Sequence, residues 1–220
     1  MTLPFSAAFI VGAMLAPAIV KRVSPADVMA GGLVLATVGF VMLTQVGVDS
    51  HVALLMVSTV VFSLGLAPLF TLTNDLIIGS APPERAGAAS GISETGAELG
   101  GALAIAILGT LGTAVYRDRL DEDIPAGVPD ASAEVARSTL GGAVAVADEL
   151  PQRLGDELLE AAQAAFTIGL QVSALVSAVI AAGTAVVAAV LLRGLKMGSE
   201  TGHASGLGAV ETAVPAAPRD

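Results

Sequence analysis

The sequence contains no cysteine, no tryptophan and only two histidines. Without thiols there can be no disulfide and no cysteine chemistry, and two isolated histidines make no zinc site. No metal or cofactor is expected. Charge is scarce as well. Asp, Glu, Lys and Arg together make up 14% of the chain, against about a quarter in ordinary soluble domains. Aromatic residues reach 3%, too few for a belt at a membrane–water interface. Ten basic residues against twenty acidic ones leave no basic surface for nucleic acid. What fills the chain is apolar: 54% of its 220 residues are hydrophobic, with a mean hydropathy of +0.80.

The few charges are pushed into gaps between long apolar runs. Only helices and closed barrels satisfy their backbone hydrogen bonds in lipid. Barrel strands alternate in short segments, and these runs do not. The expected fold is therefore an all-α membrane protein with about five transmembrane helices, at residues 3–20, 28–48, 52–78, 86–115 and 164–192. The first run is barely a span, about 27 Å at 1.5 Å per residue. It follows Met1 with no basic region before it, so no signal peptide is expected. Pro82 and Pro83 break the helix between the third and fourth runs. The transmembrane region as a whole is residues 1–195, and 196–220 reads as a disordered cytoplasmic tail.

Five spans put the termini on opposite sides. Lys21, Arg22, Arg85, Arg193 and Lys196 then share one side, and Asp49 and residues 117–161 share the other. By the positive-inside rule the N-terminus faces out and the C-terminus faces the cytoplasm of a multi-pass cell-membrane protein. Eleven of the twenty acids lie between Asp118 and Glu160, in this outer loop. Its apolar stretch Leu140–Ala147 and the spacing of Leu154, Leu158 and Leu159 fit a helical hairpin on the outer mouth. A solvated linker fits equally.

Glu94 and Glu98 are the sharpest chemical signal. Four residues apart, they share one face of the fourth helix. Counted from Arg85, they lie roughly 14 Å and 20 Å along the axis, in the middle of a bilayer. A carboxylate there marks a functional group by default. Desolvation and mutual repulsion favour a proton on the pair, and either a proton or a cationic substrate neutralises it. Protonated acids hydrogen-bonding to neighbouring helices are the bland alternative. Asp75, after Thr71, Thr73 and Asn74, lies about ten residues before Arg85, near the cytoplasmic end of its helix. A latch at a cytoplasmic gate formed with Arg85 is the preferred role; a direct proton or substrate role and a snorkelled surface position remain open. Gly87, Gly91, Gly96, Gly100 and Gly101 thin the fourth helix, for close packing first and for rocking second. Phe62 and Phe70 could line a greasy pocket or face lipid.

The stretch from Asn74 to Gly100, with its Ser80-Ala81-Pro82-Pro83-Glu84-Arg85-Ala86-Gly87 turn followed by Ser93-Glu94-Thr95 and Glu98, resembles the fourteen-span drug:proton antiporter branch of the major facilitator superfamily, the antiseptic and quaternary-ammonium exporters. Ala165-Phe166-Thr167-Ile168-Gly169-Leu170 and the long loop before it resemble the same group. The likeness covers about residues 1–195 and implies a partial superfamily helical bundle, corresponding to the tenth to fourteenth spans.

The resemblance implies multidrug efflux: lipophilic, often cationic, small molecules exchanged for protons across the lipid bilayer. The coupling acids of the penultimate span map onto Glu94 and Glu98. Some relatives carry a further acid where this chain has Ser93, or in the span matching Ser6–Val20; both departures bear on substrate range and proton stoichiometry. The superfamily fold needs two six-helix halves, so the missing N-terminal spans are expected partners, and the chain alone is expected not to transport. The alternative is a non-transporting fragment or membrane subunit of a split or degraded transporter. A membrane-embedded enzyme is disfavoured, because the spans hold no Ser/His, Cys/His or metal-ligand constellation.

Overall fold

The computed structural model describes residues 2–48 and 52–210, with side chains for 5–48 and 52–190. Those residues are helical throughout apart from turns. The elements are α1 (Thr2–Val20), α2 (Pro25–Leu43), α3 (Val52–Gly79), α4 (Ala86–Asp123), α5 (Asp130–Ser138), α6 (Leu140–Glu149) and α7 (Gln152–Val210), with a single 3-10 turn at Pro83–Arg85 leading into α4. Helices α2, α3, α4 and α7 are long and apolar enough to cross a membrane. The apolar segment 5–20 within α1 is shorter. The protein is a multi-pass membrane protein built as a partial bundle.

Local chemistry explains where the helices begin and end. Ser24 caps α2, its hydroxyl accepting from the Asp27 amide at 3.2 Å and donating to the Asp27 carboxylate at 2.6 Å. Pro25 then supplies a preset φ at the first helical position. The helix stops at Leu43 rather than running to residue 48, because Gln45 and Val46 bond back three residues instead of four. The freed carbonyl of Val46 accepts from Gln171 Nε2 on α7 at 2.8 Å. Within α3, Ser58, Thr59, Ser63 and Thr71 bond to carbonyls of the preceding turn, which satisfies their hydroxyls without a polar partner. Residues 49–51, with Asp49 and His51, lie outside the described residues.

Helix α3 packs between α1 and α2; α2 packs on α7, and α7 on α4. Several glycine contacts bring backbones together, Gly39 against the Phe62 backbone among them. A Cβ on Gly32 would sit 2.6 Å from the Gly65 carbonyl oxygen, and one on Gly65 would collide with the Ala36 amide. A Cβ on Gly169 would sit 2.8 Å from the Gly112 carbonyl oxygen. Beside this last contact, Ser173 donates to the Leu108 carbonyl at 3.3 Å.

Both long helices around the 117–161 segment overrun the spans expected for them. Helix α4 continues to Asp123 and α7 begins at Gln152. The cause is an apolar stripe that crosses into charged surroundings. Tyr116 and Leu120 on α4 meet Leu158, Ala162 and Ala165 on α7, with Ala136 of α5 and with Ala143 and Val146 of α6. Of the two readings of the segment, the helical one is found: α5 and α6 close a capped end with its own core. Tyr116 donates to the Ala136 carbonyl at 2.8 Å in this core. Arg137 ties α5 to Asp121 at 2.7 Å. At the other end of α7 the helix runs to Val210, into the stretch read as a disordered tail; 211–220 lie outside the described residues.

Two expected outcomes test this packing. Gly65→Val should force α2 from α3 and destabilise the protein by roughly 1–3 kcal/mol, read as a lower melting temperature in detergent. Tyr116→Phe leaves the Ala136 carbonyl without its donor and should cost about 1–2 kcal/mol, seen as faster amide exchange in α5 with the membrane helices unchanged.

Candidate functional site

Helix α4 is supported at one end only. Tyr116 and Leu120 are its buried residues, and both belong to the cap. From Ala86 to Ile107 its surface is largely uncovered on every side, with Ile92 and Ile105 at 73% and 77% exposure. Glu94 and Glu98 lie in this uncovered half. Both are exposed, and neither makes an ion pair or a hydrogen bond through its side chain among the described residues. Thr95, between them, turns back onto the Gly91 carbonyl at 2.8 Å.

Where α4 passes α3, the two helices leave a cleft of about 730 Å³. Helix α3 contributes Leu69, Phe70, Thr73, Asn74, Asp75 and Ile77 among others. Leu69, Phe70, Thr73, Asn74 and Ile77 follow the three- and four-residue spacing of one helix face, and Asp75 lies to the side of it. From α4 come Ile92, Ser93, Glu94, Gly96 and Ala97. The structure thus brings Asp75 and Glu94 to one cleft. Glu98, one turn farther along α4, does not line it. Arg85 sits at the head of α4, exposed, and makes no ion pair with Asp75 among the described residues.

The two phenylalanines separate. Phe62 stacks on Phe40 with ring centres 5.0 Å apart and leans on Phe5 at 6.1 Å. It belongs to the packing of α1, α2 and α3. Phe70 meets Phe9 edge-on at 6.1 Å and lines the cleft, 53% exposed. On the opposite wall, Ser93 belongs to the Ser93-Glu94-Thr95 motif, whereas Ile92 carries no signal of its own in the sequence beyond its place two residues before Glu94.

Among the described residues no group of three His, Asp or Glu side chains is placed to hold a metal. The site is an amphipathic cleft with two carboxylates, which can take up a cation or a proton.

Comparison with known proteins agrees in kind. The chain is 38% identical over 174 residues to the multidrug efflux pump LfrA of Mycolicibacterium smegmatis, covering 79% of this chain and 34% of the pump. It is 30% identical over 173 residues to the tetracenomycin C resistance and export protein of Streptomyces glaucescens, covering 76% of this chain and 32% of that protein. It is 31% identical over 154 residues to the methyl viologen resistance protein SmvA of Salmonella typhimurium, covering 69% of this chain and 30% of SmvA. The chain spans about a third of the length of the curated relatives it matches. Residues 1–117 match the sequence profile of the Major Facilitator Superfamily, and with that match the uncovered helix, the cleft and the apolar bundle fall into place: the chain belongs to the Major Facilitator Superfamily.

Proposed function

We propose that this chain is the C-terminal part of a proton-coupled multidrug exporter of the fourteen-span branch, in which Glu94 and Glu98 exchange a proton for a lipophilic cation. The superfamily consists of secondary carriers and not enzymes, and its names here include a multidrug pump, an export protein and a viologen resistance protein. The observation that carries the reading is Glu94: a carboxylate about 14 Å from the end of a membrane helix, lining an amphipathic cleft with no cation beside it. Such a group is tolerable in a bilayer only when it faces water, a partner or a ligand, or holds a proton. Competition between proton and cation for one carboxylate is enough to couple their opposite movements.

The uncovered half of α4 supports the need for further spans. A helix carrying two acids and exposed on all sides is a poor lipid-facing element. It suits a position in the middle of a larger bundle, against the N-terminal spans of such a transporter. We place the N-terminus of the segment outside and its C-terminus in the cytoplasm, with Lys21, Arg22 and Arg85 on the cytoplasmic side. The α3–α4 turn then lies at a cytoplasmic gate, with Asp75 and Arg85 beside it, and the α5–α6 cap lies outside.

In the full-length protein, Glu94→Gln should reduce ethidium efflux from energised cells to the rate of passive leak. Glu98→Gln should weaken both the dependence of efflux on the proton gradient and the affinity for ethidium, by less than Glu94→Gln does. Proton-driven efflux at the original rate in Glu94→Gln would remove that residue from the coupling role.

A further inference from the structure

We propose that Asp75 is a second cation-contacting carboxylate, and that the α3–α4 cleft holds a lipophilic organic cation between Asp75 at its shallow end and Glu94 at its deep end. This rests on the transport reading above and adds to it the place where the cation lies. It also gives Asp75 a part that a gate latch alone does not.

Size, lining and charge each point to such a ligand. At about 730 Å³ the cleft falls in the range of small-molecule sites, roughly 300–1,000 Å³. Its walls are apolar at Leu69, Ile77, Ile92 and Ala97, with a few polar groups between them. Asp75 and Glu94 are the charged residues that line it, and both are acidic. No lysine or arginine lines the cleft, so an incoming cation meets attraction without repulsion.

Geometry orders the two acids along the cleft. Asp75 precedes the end of α3 at Gly79 by four residues, and Glu94 follows Arg85 by nine. Measured from the turn between the helices, their depths are roughly 6 Å and 14 Å. A difference of roughly 8 Å is on the scale of an aromatic cation. Phe70, nine residues before Gly79, lies at the level of Glu94 on the α3 wall, its ring held edge-on by Phe9 and half exposed toward the cleft. An aromatic face at that place adds a cation–π contact that suits a soft organic cation better than a hydrated metal ion. Asp75 has no ion pair or side-chain hydrogen bond among the described residues, so a bound cation has no internal partner to displace.

The test is binding of tetraphenylphosphonium to the purified full-length protein in nanodiscs, with uncharged Nile red as the control ligand. Asp75→Asn should weaken tetraphenylphosphonium binding about tenfold, the order of one partly desolvated charge contact. Asp75→Glu should restore it, and Nile red binding should be unchanged in both. Unchanged tetraphenylphosphonium binding in Asp75→Asn, with weakened binding in Glu94→Gln, would overturn this proposal and leave the transport reading standing. Unchanged binding in both variants would overturn the two together. Loss of both ligands in Asp75→Asn and Asp75→Glu alike would make Asp75 structural and also overturn it. A measurement that leaves Asp75 intact uses Thr73→Cys, with any cysteine outside these 220 cysteine-free residues replaced by serine. Tetraphenylphosphonium should slow alkylation of that thiol severalfold; an unprotected thiol at saturating ligand would place the cation elsewhere.

Discussion

Inside a bilayer an apolar side chain gains nothing by leaving lipid for another apolar side chain, so helices hold together where their backbones can come close. In this bundle glycines allow it at several crossings. Gly32 and Gly65 bring α2 onto α3 until the main chains touch, and Gly112 and Gly169 do the same for α4 and α7. The order α1–α3–α2–α7–α4 follows from these crossings and from the seat of α3 between α1 and α2. Polar links are sparse and sit beside close contacts or where a helix ends: Ser173 to the Leu108 carbonyl, and Gln171 to the Val46 carbonyl. Each fixes register along an axis that dispersion alone would leave free to slide.

The same economy divides α4 into two unlike halves. Toward its C-terminus it shares a core of aliphatic residues and Tyr116 with α5, α6 and α7, where hydrophobic burial works as in any soluble domain. Toward its N-terminus it has small residues, two carboxylates and little cover. Packing favours permanence in the first half. In the second, thinness and unpaired charge leave room for things that come and go. The α3–α4 cleft lies in that half, and it draws its polarity from Thr71, Thr73, Asn74 and Asp75 of α3 and from Ser93 and Glu94 of α4.

The helices themselves were legible in the sequence because apolar runs of eighteen or more residues have few other uses. Their ends were less so. The stripe through Gly112, Tyr116 and Leu120 continues past the point where charges begin, and composition alone hides a stripe that crosses from lipid into a cap. The early stop of α2 exposes the Val46 carbonyl to Gln171, a partner distant in sequence. Of the site, Glu94, Glu98 and Asp75 stood out because acids are rare in such surroundings. Their grouping did not, since Asp75 and Glu94 meet through the relative register of two helices. The split between Phe62 and Phe70 had the same cause: rings eight residues apart lie on nearby parts of one helix face, both touch α1, and α2 meets Phe62 through Phe40 while Phe70 lines the cleft.

The glycine crossing on α4 also has a mechanical meaning. Between Gly112 and Ala86 the helix runs 26 residues, roughly 39 Å of rigid rod, with its far end anchored in the cap and its near end largely unsupported. Rotation of about 10° around that crossing carries the Ala86 end through about 7 Å, while Glu94, farther up the rod, moves about 5 Å. A fulcrum placed this far from the α3–α4 turn would convert a small tilt into a displacement as wide as a helix turn is long.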